Sequence, residues 1–174
     1  HQIINHYTYA IVSDGDLEEG VASEAASLAG TLKLGKLIYL YDDNGISIEG
    51  DTDIAFTENV GDRFRAYGWH VVGPIDGHDT AVVDVAIREA QAETARPSLI
   101  MCQTIIGFGS PNKSNTGGVH GEPLGEEEIA LTRANLGWEH EPFQLPAEAV
   151  SHARKAIARG ASAQDDWERK FARY

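Results

Sequence analysis

The stretch SDGDLEEGVASEAASLAGTLKLGKLIYLYDDNGISIEG, residues 13–50 of the 174-residue chain, decides how the rest is read. Ser13-Asp14-Gly15 closes a β-rich run at residues 7–12, and Asp43-Asn44-Gly45-Ile46 closes a second run at residues 37–41. That second run is continuously apolar, the pattern of a parallel strand buried on both faces. The Ala-, Leu- and Glu-rich segment 19–34 reads as a helix, ended by Gly35. Asp14 and Asn44 therefore fall at the carboxyl ends of two strands, where open α/β sheets bind ligands. A carboxylate, an amide oxygen and a backbone carbonyl are the hard donors that Mg²⁺ takes at about 2.0–2.1 Å, with phosphate oxygens completing its octahedron. Gly15 has no side chain to keep its N–H from a diphosphate oxygen.

Outward from this stretch the alternation continues. Residues 43–52 read as a polar loop, 59–67 as a short helix stopping at Gly68, and 69–72 as a third strand. Over 79–93, Val82, Val83, Ala86, Ile87 and Ala90 recur at helical spacing behind Asp79, a fitting N-cap. A fourth strand, 98–105, empties into a loop rich in Gly, Asn and Ser at 107–125, of a length that in compact domains is usually functional or disordered. Helices at 126–136 and 146–159 follow. The expected fold is α/β, a parallel sheet with helices on both faces. The Glu126-Glu127-Glu128 run asks for nothing beyond favourable placement at a helix start.

At 42% hydrophobic residues the chain can bury a core. A net charge of −13 argues against a nucleic-acid partner, because acidic surfaces repel polyphosphate backbones. No apolar run is long enough for a membrane span. The single cysteine, Cys102, permits no internal disulfide and sits in an apolar strand, so it reads as a buried thiol. These features suit a cytoplasmic enzyme. The chain opens on His1 rather than Met and reads as a fragment.

The stretch 13–50, together with RFRAYGWHV, IDGHD, PSLIMCQTIIGFGSPNK and VHGEPLGEEEIALTRANLGW, resembles the transketolases, in that family's order. The family's Gly-Asp-Gly signature is matched except that Ser13 replaces the first glycine. The resemblance implies a thiamine diphosphate-binding fold, incomplete here. Residues 1–145 would be the later part of the cofactor-diphosphate domain, and 146–174 a terminal helix leading to an absent pyrimidine domain. It implies thiamine diphosphate and Mg²⁺ as cofactors, with Ca²⁺ or Mn²⁺ able to replace the metal. Asp14, the Asn44 side chain and the Ile46 carbonyl would be metal ligands, and Gly15, Asn44, Ile46, Ile48, Ile106 and His120 cofactor contacts. His120 would be catalytic, its imidazole suited to proton transfer near neutrality. Glu19 and Glu24 match residues that help join the two cofactor sites of a homodimer, and His78 is read as structural. The implied activity is transfer of a two-carbon ketol unit between sugar phosphates, with the segment alone inactive. Dihydroxyacetone synthase, 1-deoxyxylulose-5-phosphate synthase and a catalytically silent regulatory subunit are the alternatives.

Overall fold

The computed structural model describes residues 3–174. In chain order the elements are β1 (Thr8–Ser13), α1 (Asp14–Glu18), α2 (Gly20–Thr31), β2 (Leu37–Asp43), β3 (Ile46–Ser47), β4 (Gly50–Asp51), α3 (Val60–Ala66), β5 (His70–Asp76), α4 (Thr80–Ala92), β6 (Ser98–Gln103), α5 (Glu126–Asn135) and α6 (Ala147–Phe171). The chain divides into two compact units, one of residues Tyr7–Leu136 and one gathering the residues up to His6 with Gly137–Tyr174.

In the first unit β1, β2, β6 and β5 pair in that order as a parallel sheet. Side chains alternate faces along each strand. Leu99 of β6 and Tyr41 of β2 therefore join Leu17, Ala26, Ala29, Val60, Phe64 and Trp69 on the face covered by α1, α2 and α3. Ile100 and Cys102 of β6 join Ile38, Val72, Ala86 and Ala90 on the face covered by α4. Helices thus lie on both faces, as the alternation predicts. Phe64 and Trp69, each 1% exposed, are worth about 1.5–3 kcal/mol apiece in apolar burial. The indole N–H of Trp69 is satisfied by the Ala26 carbonyl at 2.8 Å.

Several boundaries differ from expectation. The first helix starts at Asp14 rather than at 19, because the Asp16 carboxylate accepts from the Ser13 N–H (2.8 Å) and hydroxyl (2.9 Å) and closes a turn directly after the strand. It breaks at Glu19, which is extended, and resumes at Gly20. β6 ends at Gln103, two residues early. The loop 43–52 contains the small β3–β4 hairpin. In the second unit α6 continues through Gly160 to Phe171 instead of stopping at 159. One interior glycine costs a helix only about 1 kcal/mol, and the residues after it are mostly Ala and charged residues that a helix accepts. There Trp167 stacks on Phe171 with ring centroids 4.9 Å apart, and its indole donates to the Ile3 carbonyl at 3.0 Å.

Candidate functional site

The carboxyl ends of β1, β2 and β6 open into one cleft of about 760 Å³. Gly15, Asn44, Ile46, Ile48, Ile106 and His120, which come from four separate stretches of sequence, all line it. Asp14 sits behind the wall, 3% exposed. The Tyr41 hydroxyl donates to its Oδ1 and the Gly45 N–H donates to its Oδ2 at 2.9 Å, so the carboxylate that directly follows β1 is clasped by β2 and the turn after it. Burial, and then the hydrogen bond to Asp14, push the Tyr41 phenol well above its ordinary pKa, so it stays a donor. Burial first, and the Asp14 charge second, raise the Asp43 carboxyl as well.

Asn44 is oriented from two sides. Its Nδ2 donates to Asp42 Oδ2 at 3.3 Å and its Oδ1 accepts from the Ile46 N–H at 2.9 Å. Asp42 is in turn held by the Thr104 hydroxyl, just beyond β6. An amide that spends its N–H₂ on a carboxylate has its oxygen turned the other way. Sequence reasoning named Asp14 and Asn44 but missed Tyr41, Asp42 and Thr104, which hold them. The signal available was only that Tyr41 and Asp42 flank the Asn44 motif on the same strand.

The donor chemistry fits a magnesium diphosphate. Asp14 and Asn44 Oδ1 each keep lone pairs beyond the bonds just described. Among the described residues no three His, Cys, Asp or Glu side chains gather into a metal-holding group. The set expected from the sequence, the Asp14 carboxylate, the Asn44 amide and the Ile46 carbonyl, would suit an ion that keeps phosphate and water ligands. Electrostatics point the same way. Asp16, Glu18, Glu19, Asp42 and Glu49 line the cleft, and among the described residues no lysine or arginine does. An anionic diphosphate entering this field requires a cation with it.

The apolar part of the lining is uneven. Ile46 is 7% exposed and Ile48 70% exposed. His120 is exposed, and its N–H donates to the Gly117 carbonyl at 3.0 Å in the turn after residue 116. Of the two acidic residues expected at an interface, Glu19 lines the cleft and Glu24 is an exposed residue of α2 that does not. His78, read from the sequence as structural, accepts from the Ile105 N–H at 2.8 Å and stacks on Phe108 with ring centroids 3.9 Å apart.

Comparison with known proteins bears on the whole chain. A family model described as the thiamine diphosphate binding domain of transketolase matches residues 1–174. A transketolase of Nostoc sp. is 56% identical over 99% of this chain and 26% of its own length. Transketolase 1 of Escherichia coli K12 is 54% identical over 100% of this chain and 26% of its own length. The chain thus spans about a quarter of the curated relatives it matches. Among solved structures, the transketolase of Campylobacter jejuni matches with a TM-score of 0.90 at 38% identity, over 96% of this chain and 26% of that one. A complex of the Pichia stipitis transketolase with sedoheptulose 7-phosphate matches with a TM-score of 0.89 at 44% identity, over 97% and 25%.

Proposed function

Because this chain belongs to the transketolase family, as part of its thiamine diphosphate-binding domain, we propose that the full-length protein transfers a two-carbon ketol unit from a ketose phosphate to an aldose phosphate. The observation that carries this reading is the convergence of Gly15, Asn44, Ile46, Ile48, Ile106 and His120 on one acidic cleft beside the buried Asp14. In this reading Asp14, Asn44 Oδ1 and the Ile46 carbonyl hold Mg²⁺, and Gly15 leaves room for a diphosphate oxygen, since a Cβ there would meet nothing within 4 Å. Ile46, Ile48 and Ile106 exclude water from the bound cofactor, and the low dielectric strengthens the electrostatics of the site. His120 reaches cofactor and sugar, and its imidazole holds or moves a proton at the reacting oxygen. Thiamine diphosphate, when bound, supplies the electron sink that lets a C–C bond break and form.

The segment is inactive by itself in this proposal, being a quarter of the length of its relatives. In this proposal residues 1–145 are the later part of the cofactor domain, and 146–174 a terminal helix and the start of the linker to a pyrimidine domain. The protein is a cytoplasmic homodimer with Glu19 and Glu24 near the subunit contact. Among the described residues no helix is long and apolar enough to cross a membrane.

The test is ketol transfer from xylulose 5-phosphate to ribose 5-phosphate by the full-length protein, with and without thiamine diphosphate and Mg²⁺, beside Asp14→Ala. Turnover that needs both cofactors and is abolished by the substitution is expected. A folded protein that takes up both cofactors yet turns over no sugar acceptor overturns the proposal.

A further inference from the structure

α5 opens with three glutamates, and only the third is buried. Glu128 is 7% exposed, whereas Glu126 and Glu127 face solvent. A buried carboxylate is costly unless hydrogen bonds replace its water, and here the replacements all come from the glycine-rich loop. Glu128 Oε1 accepts from the Ser110 hydroxyl and from the Asn112 N–H at 2.9 Å, and Oε2 accepts from Asn112 Nδ2 at 2.9 Å. These bonds, Ser110 first and then Asn112, hold the carboxyl below the usual glutamate range. Dedicated donors of this kind are what a stably ionised, fixed carboxylate needs.

The bonds continue from there to the cleft. Ser110 Oγ, while donating to Glu128, accepts from the Lys113 N–H at 3.1 Å. The Lys113 carbonyl accepts from the Thr116 hydroxyl at 2.7 Å, and its ammonium ties the far limb of the loop through the Leu124 carbonyl at 2.8 Å. Next come the Val119 N–H to Thr116 O and His120 N–H to Gly117 O bonds, so the last link is the backbone of His120. The Asn115 N–H donates to the Ile106 carbonyl at 2.8 Å, which closes the neck beside another residue of the cleft. Glu128 itself does not line the cleft.

We propose that Glu128 is a positioning residue of the transfer site: its buried carboxylate fixes the 110–113 turn and through it sets where His120 stands. The role in turnover rests on the ketol-transfer reading above; the clamp does not. The test compares Glu128→Ala and Glu128→Gln with wild type in the full-length protein, by hydrogen exchange of the 110–120 amides and by steady-state kinetics. Gln keeps the geometry, because its Oε1 still accepts from Ser110 and the Asn112 N–H, and its amide pairs with Asn112 once that side chain turns over.

For Glu128→Ala we expect loss of protection confined to the loop, with the sheet amides unchanged. kcat should fall about tenfold to a hundredfold, the scale of a small misplacement of a reacting group, while Glu128→Gln restores both readouts to within about threefold. Unchanged loop protection in a folded Glu128→Ala protein overturns the clamp. Lost protection with unchanged kcat overturns the positioning role. Should Glu128→Ala fail to fold, Ser110→Ala breaks the same path at its first link, and unchanged loop exchange there overturns the proposal. Absence of ketol transfer by the wild type would instead overturn the functional reading, leaving the exchange result to judge the clamp.

Discussion

Replacing Tyr41 by Phe removes one hydroxyl and leaves the ring in place. That ring is 3% exposed and packs among Leu17, Phe64, Trp69 and Leu99, so the substitution keeps the packing and removes only the hydroxyl, with its bond to Asp14 and its weaker interaction with Asp43. The lost bond is the one the hydroxyl donates to Asp14 Oδ1. A hydrogen bond to a charged group is worth about 1.5–3 kcal/mol, and each 1.4 kcal/mol corresponds to about a factor of ten in affinity. Without it the Asp14 carboxylate is held on one side only, by Gly45 N–H, and an incoming Mg²⁺ must orient it. The expected loss of Mg²⁺ affinity is about tenfold to a hundredfold, the range found when groups that orient metal ligands are removed. Calorimetric titration of Mg²⁺ into the full-length protein at saturating thiamine diphosphate measures it directly. Because the folded phenol is pushed upward, it remains protonated at about pH 10, where an ordinary tyrosine is half ionised, and wild-type affinity should not drop there on its account. Mg²⁺ affinity within about twofold of wild type in a folded Tyr41→Phe protein would refute the reasoning, since the clasp on Asp14 would then carry no weight in metal binding.

Two further outcomes follow from packing around the same strands. A Cβ at Gly77 would lie 2.5 Å from Thr104 Cγ2 and 3.0 Å from the Gln103 carbonyl, so Gly77→Ala must move Thr104, whose hydroxyl holds Asp42. The expected cost is about 1–3 kcal/mol of stability, read by denaturant unfolding, together with weaker Mg²⁺ binding through Asn44. Cys102 is 7% exposed, and burial, followed by the Asp42 charge, pushes its thiol upward. Its thiolate population therefore stays below that of an ordinary cysteine as pH rises, and a thiol reagent at about pH 8 should label the native protein far more slowly than the unfolded chain.

The residues legible in the sequence share one property: their meaning is local. Asp14 and Asn44 each follow directly on a strand, and strand ends are set by apolar runs that can be read in place. Ala86, Ala90 and their helical spacing likewise assign the inner face of α4 without knowledge of its partner. What the sequence hid depends on partners far along the chain. Tyr41 and Asp14 are separated by 27 residues, Thr104 and Asp42 by 62, and nothing near either residue announces the other. The start of α1 was hidden for the opposite reason. Gly15 and Gly20 suggest a loop by propensity, yet the bonds from Ser13 to Asp16 are enough to wind the intervening turn.

Glu128 shows why a local rule can be correct and still incomplete. Three acidic residues at a helix start are favourable wherever they occur, and that accounts for Glu126 and Glu127, which face solvent. It cannot distinguish the third, because successive helix positions differ by about 100° in direction and only the fold decides which of them meets the loop. Once Glu128 turns inward, the cost of burying its charge has to be met by donors, and Ser110 and Asn112 meet it from 18 and 16 residues away. The loop that composition describes as glycine-rich and free is therefore tied to the helix that follows it. In that arrangement a long loop can carry His120 to the cleft and still hold it in one place.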